Sequence, residues 1–239
     1  MKVGLVSDIH ANLVALESVL AEMGPVDALW VCGDTVGYGP DPSDVLALIV
    51  ERKATIVAGN HDRAVATGDD LDFFNPPAAV AAKMHQGWLS SEERDVLAGL
   101  PRTLQTSDVT LCHGSLRDPL WEYVTNPTSA AASLALAKTS HCCAGHTHVP
   151  SLFRGGPEGA KAGRVRYGTP YPLAPRVFLN PGSVGQPRDG DPRAAYAVID
   201  LAVGTVAFHR STYRIDETQR RIRERGLPSI FADRLAFGL

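Results

Sequence analysis

The sequence of 239 residues predicts an α/β (α+β) fold, a four-layer α/β/β/α sandwich with two mixed β-sheets flanked by helices. Two observations predict it. Through the first two-thirds, apolar runs alternate with helical patterns, the texture of βα units and a largely parallel sheet. From about residue 102 the texture shifts to shorter extended runs broken by one helical stretch, which supplies a second sheet.

Residues 2–7 (KVGLVS) read as the first strand, and positions 12–23 carry apolar residues at helical spacing with Asn12 placed to cap. A second strand follows at 27–32, then a helix at 42–51 opened by Pro42, whose fixed φ suits a first turn. Residues 54–58 form a third strand. Residues 76–99 read as two helices meeting near Ser90. Ser91–Glu92–Glu93 makes a good start for the second, although Ser91 with Arg94 falls short of a capping box. Extended runs then occupy 102–106, 108–112, 141–144, 150–154, 164–168, 175–179, 194–201 and 204–210, with a helix at 128–138. The last two runs read as an antiparallel hairpin turning at Ala202–Gly204, and a charged helix near 216–225 belongs on the surface. The Gly-rich stretch 154–164 reads as a mobile loop or wide hairpin turn. Without a following GK[ST] it is not a phosphate cradle. The reading is one domain over 1–239, with the helical segment at about 63–99 as a partial cap over the site.

Composition narrows the function classes. Apolar residues make up 44% and charged residues 21%, as in ordinary globular domains, and the length suffices for a full core. A net charge of −3 leaves no basic footprint for nucleic acid, so an anionic substrate has to be held by local charges. The first apolar run is broken by Asp8 and His10, which excludes a secretory signal, and no stretch approaches the roughly 20 apolar residues that span a bilayer. The chain therefore reads as cytoplasmic. Cys32, Cys112, Cys142 and Cys143 contain no CxxC pair and lie in apolar runs, so they read as buried thiols in a reducing compartment.

Five short motifs hold most of the functional information: Asp8–Ile9–His10, Gly33–Asp34, Gly59–Asn60–His61–Asp62, His113–Gly114, and Gly145–His146–Thr147–His148. Each follows a predicted strand, and ligands at the carboxyl ends of strands converge on the crevice where open α/β sheets bind. In extended chain, residues two apart point the same way, so Asp8 with His10 and His146 with His148 can reach one site. Carboxylate, imidazole and one amide suit first-row divalent ions such as Mn, Fe, Zn, Co or Ni. Taken singly, a strand-end Asp is commonly a cap and a lone His a satisfied buried group. Four histidines, two aspartates and an asparagine in five such places are not explained that way.

In this order, DxH…GD…GNHD…H…GHxH resembles the signature of calcineurin-like metallophosphoesterases, and the resemblance covers most of the chain. Gly37–Pro40 and Asn180–Ala194 (NPGSVGQPRDGDPRA) are similar to a bacterial and archaeal subgroup related to diadenosine tetraphosphatases. The resemblance implies one ion held by Asp8, His10, Asp34 and His148, and a second held by Asp34, Asn60, His113 and His146, with Asp34 bridging. It further implies His61 facing substrate as the catalytic acid or charge stabiliser, and a phosphate ester or anhydride attacked by water shared between the ions. Asp62 reads as a helix cap.

The chain departs from the family after the GD element. Thr35–Val36 leads to Gly37–Tyr38, where protein phosphatases carry Asp-Arg and symmetric diadenosine tetraphosphate hydrolases Asn-Arg. This disfavours a phosphoprotein substrate and leaves Arg188 as the candidate phosphate contact. The expected partner is a small phosphorylated compound such as a dinucleoside polyphosphate. The alternatives are a phosphomonoesterase or serine/threonine phosphatase, or a catalytically silent scaffold, although the chain keeps every ligand position. His85, His141 and His209 are assigned to packing or surface, whereas Phe73, Phe74 and Trp88 are assigned to core packing, with contact with a base the lesser reading. Ser183 lacks the first glycine of GxSxG and is set aside as a nucleophile.

Overall fold

The computed structural model describes residues 1–106 and 108–239. Among them, the first sheet is built around β1 (Lys2–Val6), β2 (Ala28–Val31) and β3 (Thr55–Ile56), parallel neighbours joined through helices α1 (Leu13–Met23) and α2 (Pro42–Glu51). The second sheet begins with β4 (Thr103–Gln105), β5 (Val109–Cys112) and β6 (His141–Cys143), followed by a hairpin of β7 (Ser151–Gly156) and β8 (Gly159–Gly163). Strands β9 (Pro170–Pro172), β10 (Arg176–Asn180), β11 (Ala194–Asp200) and β12 (Thr205–Ser211) complete both sheets. Their orders are β3-β2-β1-β11-β12-β9 and β4-β5-β6-β10-β7-β8. Both are mixed: β1 pairs antiparallel with β11, and β10 pairs parallel with β6 but antiparallel with β7.

The two-residue period of the strands sorts their side chains into layers. Val3 and Leu5 of β1, Ala197 and Ile199 of β11, and Val177 and Leu179 of β10 enter one buried cluster between the sheets, with Trp30, Leu111, Leu152 and Phe208. Alternate residues face outward. Val6, Ala194 and Tyr196 pack with Leu16 and Val19 of α1 and with Val45 and Ile49 of α2. On the far side, Phe178 and Cys142 pack with Ala130 and Leu134 of α6 (Pro127–Leu136). The layer order is therefore helix, sheet, sheet, helix, as the sequence pattern predicts. All four cysteines are buried free thiols.

Other boundaries move. The 154–164 stretch is the β7–β8 hairpin itself, pairing Gly156 with Gly159 across Pro157–Glu158. Its glycines and alanines hide the alternation that would announce strands. No strand forms at 164–168; the edge strand is β9, a few residues later, paired with β12. A helix that the apolar pattern does not mark, α3 (Asn60–Thr67), starts within the GNHD motif, ahead of α4 (Pro76–Trp88) and α5 (Ser91–Ala98). The capping box of α5 is displaced by one residue from Ser91: Ser90 Oγ accepts from Glu93 N–H at 3.2 Å, and Glu93 Oε2 accepts from Ser90 N–H at 2.7 Å. The charged helix is α7 (Ile215–Glu224), followed by a short α8 (Ile230–Asp233) and a tight turn at Arg234–Phe237. Among the described residues no helix is long and apolar enough to cross a membrane.

Phe208 is fully buried between the sheets. Phe208→Ala is expected to cost about 3–5 kcal/mol of unfolding free energy in urea titrations, because the packed layer around it collapses only partly. A loss below about 1 kcal/mol would contradict the assignment of this layer as the main core.

Candidate metal centre

Asp8 and His10 follow β1, Asp34 follows β2, Asn60 and His61 open α3 after β3, His113 follows β5, and His146 and His148 follow β6. These are the carboxyl ends of the parallel strands of both sheets, which lie side by side. The chain thus brings all seven expected ligands and His61 into one cluster, none more than 4% exposed. Their backbone is not extended as the sequence reading assumed. Asp8, His10, Asp34, His146 and His148 all have φ between 49° and 68°. Left-handed backbone at non-glycine residues costs on the order of 1–3 kcal/mol each and persists only where the surroundings over-determine it. Here they do: Asp8 N–H donates to Gly33 C=O (3.0 Å) and His10 N–H to Asp34 C=O (2.9 Å), while Gly185 N–H and Ser183 Oγ both donate to Asp8 C=O.

Backbone carbonyls set the tautomers of four imidazoles. His10 Nδ1 bonds Val36 O (3.0 Å), His148 Nδ1 bonds Gln186 O (2.6 Å), His113 Nδ1 bonds Cys32 O (2.8 Å) and His146 Nε2 bonds Trp121 O (3.2 Å). A carbonyl only accepts, so each of these nitrogens carries a proton and the other ring nitrogen is the one that can present a lone pair, His113 Nε2 only after giving up its own proton. Those second nitrogens converge in pairs, His10 Nε2 with His148 Nε2 at 3.1 Å and His113 Nε2 with His146 Nδ1 at 3.0 Å. Asp34 Oδ2 lies between the pairs, 3.6 Å from His10 Nε2 and 3.3 Å from His113 Nε2. Asp8 Oδ1 is 3.2 Å from His148 Nε2, and Asn60 Oδ1 is 3.1 Å from His113 Nε2.

Such facing lone pairs call for positive charge between them. Burial pulls the pKa of His10 and His148 well below the usual imidazole range, so both are neutral. Burial likewise pushes Asp8 up to about 7, against the pull of His113. Burial would also raise Asp34, but His113, His61 and His10 around it hold it well below the carboxylate range. Burial disfavours a charge on His113, yet the Asp34 carboxylate holds its pKa up at about 9. The cluster therefore keeps protons where a cation would be satisfied. One donor atom each from Asp8, His10 and His148, from Asp34, His113 and His146, and from His10, Asp34 and His61 comes within 4.8 Å of the others. The donor set and its burial fit divalent cations.

Comparison with known proteins places the chain. The family described as the calcineurin-like phosphoesterase superfamily domain matches residues 1–204. The chain belongs to the calcineurin-like phosphoesterase superfamily. Membership marks it as a hydrolase of phosphate esters in a metal-dependent superfamily. It is similar to a metallophosphoesterase from Sphaerobacter thermophilus of known crystal structure, with 42% identity and a TM-score of 0.92 over 100% of this chain and 99% of that one. It is 30% identical to an uncharacterized protein of Methanocaldococcus jannaschii over 99% of this chain and 98% of the relative. A local match of 67 residues, 26% of this chain and 24% of the relative, is 39% identical to the symmetrical bis(5'-nucleosyl)-tetraphosphatase of Pectobacterium atrosepticum.

Two features of this calcineurin-like phosphoesterase follow from close approach. A Cβ on Gly59 would lie 2.0 Å from Asp34 Oδ1, and one on Gly145 would lie 1.8 Å from Ser7 Oγ. Glycine at these two positions lets neighbouring strand ends touch. Asp62 caps as expected, and it also does more: Oδ1 accepts from Thr35 N–H, Thr35 Oγ1–H and Val36 N–H, tying α3 to the Asp34 loop. His85, assigned to packing or surface, is fully buried and works on this same loop, bonding Gly37 N–H at 3.0 Å and Gly39 O at 2.8 Å. The NPGSVGQ stretch braces the Asp8 loop through Ser183 and supplies the Gln186 carbonyl that orients His148. Residue spacing carries no signal for a backbone carbonyl, so Gln186 escapes sequence reasoning.

The remaining expected residues line one cleft with Asp34, Asn60, His146 and His148. His61 opens on it, its buried Nδ1 without a partner and pressed toward Gly37, where a Cβ would lie 2.3 Å away. Arg188 stands on the cleft wall over the Tyr38 ring (5.7 Å), its Nε and Nη2 tethered to Gln186 Oε1. Phe73, assigned to packing, is instead 74% exposed at the rim of the cleft. Trp88 does pack, in a buried group with Tyr38, Ile222 and Phe231.

Ligation through His113 Nε2 requires that nitrogen to lose its proton, and His113 holds a proton up to about pH 9. Divalent-ion uptake at pH 7–8 is therefore expected to release protons, and apparent affinity to rise with pH toward about 9. Calorimetry in buffers of different ionisation enthalpy checks this, and uptake without proton release would contradict it. Gly59→Ala is expected to displace Asp34 and lower the metal content of the purified protein; undiminished metal by elemental analysis would refute that role.

Proposed function

We propose that the chain is a binuclear metal-dependent phosphoesterase that hydrolyses phosphodiester or phosphoanhydride bonds of a small nucleotide-like substrate. The observation that carries this reading is the two imidazole pairs, each with nitrogens about 3 Å apart, on either side of the Asp34 carboxylate. Asp8, His10, Asp34 and His148 would hold one ion, and Asp34, Asn60, His113 and His146 the second. The mixed donor set suits Mn, Fe, Zn, Co or Ni. Bound there, two divalent ions supply Lewis acidity, bringing the pKa of a water molecule toward about 7 and neutralising phosphate oxygens.

The protein's own side chains position and stabilise the substrate. Burial pulls His61 down to about 4, so it enters the reaction as neutral imidazole. In that form it donates a hydrogen bond to the oxygen that gains charge. Full proton transfer to the leaving oxygen requires a bound phosphate to raise its pKa first, which makes charge stabilisation its primary role. Arg188 brings a fixed positive charge to the cleft wall, in place of the arginine that relatives carry after the GD element. Asn60 and His61 leave α3 from its first turn, so one rigid helix sets both. The missing Asp-Arg element and the local similarity to a symmetrical bis(5'-nucleosyl)-tetraphosphatase support a small nucleotide over a phosphoprotein. Residues 1–239 are read as one domain, with the segment at about 63–99 as a partial cap, and the reduced thiols support a cytoplasmic setting.

A panel of bis-nitrophenyl phosphate, nitrophenyl phosphate and a dinucleoside polyphosphate on metal-reconstituted protein tests the reading. Turnover of the diester or the polyphosphate above the monoester is expected, and Asp34→Asn should lose both metal and turnover. His61→Ala should lower kcat by about 10²–10³-fold at unchanged metal content. Preference for the monoester would remove the diester and anhydride assignment, and full turnover by His61→Ala would remove the role given to His61.

A further inference from the structure

Phe73 is the most exposed large apolar side chain among the described residues, at 74%. It does not stand alone: its ring lies 5.5 Å from that of Trp121, and Phe74 lies 5.2 Å from Trp121 and 4.6 Å from His61. A continuous row of aromatic rings therefore runs from His61, beside the candidate metal cluster, out to solvent at the cleft mouth. Single exposed apolar residues need no explanation, but an aromatic pair at the rim of a charged cleft is a different feature. The turn that carries it is held in place. Arg63 Nε donates to Asp70 Oδ2 at 3.1 Å, just before the tight turn Leu71–Phe73, and Asn75 caps α4 just after it. Trp121 is held from the other side, its carbonyl accepting from His146 Nε2.

We infer that Phe73 and Trp121 form a stacking platform for the base of a nucleotide whose phosphate lies at the Asp34–His61–Arg188 end of the same cleft. This rests on the proposed phosphoesterase reading and specifies its substrate class, an aromatic-base nucleotide of which a purine offers the larger face. The base lies on the outer face of the pair. A ring between them would need about 3.5–4 Å on each side, and the 5.5 Å separation leaves no such gap. Phe74 forms the cleft floor between the platform and His61, and the sugar would lie over it. Stacking of this kind accepts any base face, so it confers selectivity for nucleotides over base-free phosphates without reading the base edge.

Two measurements on the metal-loaded protein test this. Trp30 is buried between the sheets, Trp88 packs under the C-terminal helices, and Trp121 lies at the cleft. Adenosine monophosphate is expected to quench tryptophan fluorescence saturably, and ribose 5-phosphate is not. Phe73→Ala should weaken adenosine monophosphate binding by about fivefold or more, and Phe73→Trp should restore it. In turnover, Phe73→Ala should lower the ratio of kcat/KM for diadenosine tetraphosphate over tripolyphosphate by a similar factor. Equal binding of adenosine monophosphate by wild type and Phe73→Ala overturns the platform. Failure of every phosphate compound to turn over, with nucleotide binding still lost in Phe73→Ala, overturns the hydrolase reading and leaves the platform standing.

Discussion

The structure depends on one electrostatic constraint: imidazole nitrogens and carboxylate oxygens are buried within about 3–4 Å of one another, and the protonated His113 supplies the positive charge among them. Taken from water without compensation, such an arrangement would be expensive. Everything around the cluster keeps it from relaxing. The carbonyls of Cys32, Val36, Trp121 and Gln186 hold the outer ring nitrogens. Five residues in left-handed backbone aim the side chains inward. Those carbonyls belong to segments far apart in sequence, so the site exists only when both sheets are assembled.

This explains why stability and function sit in different layers. The cluster between the sheets supplies the hydrophobic driving force and is ordinary in composition, with Val, Leu, Ile and Phe208. The strand ends at its rim carry the strain and the buried polar groups. Large-to-small changes in the core would loosen the base on which the clustered His and Asp side chains stand, whereas glycine changes at Gly59 or Gly145 act on the cluster directly by pushing neighbouring strand ends apart.

The cleft beside the cluster is built differently at its two ends. Near Asp34 it is lined by fixed polar groups, with Arg188 tethered to Gln186 and His61 pressed against Gly37. Toward solvent it becomes aromatic, through Phe74, Trp121 and Phe73. Gly37 offers His61 no side chain to pair with, and burial keeps that imidazole neutral.

Much of this was readable before folding. Apolar runs at Lys2–Val6 and Ala194–Asp200 and helical spacing in Leu13–Met23 are local signals, so the sheets, their flanking helices and the fold class were legible from residue order alone. The five motifs carried their chemistry in their side-chain types, and all seven proposed ligands and His61 do meet. Where local signals were weak, elements were missed: small residues concealed the returning strand Gly159–Gly163 of the hairpin, and the helix Asn60–Thr67, whose first turn is polar and buried, lacked an apolar stripe. Other features had no local signal at all. The left-handed backbone at Asp8 and His148, the tautomers set by distant carbonyls, the lone pairs facing across 3 Å and the outward turn of Phe73 each arise from contacts between residues remote in sequence. Residue type determines which groups can bind a cation, and only packing of the two sheets decides which atoms face one another, because that depends on long-range hydrogen bonds.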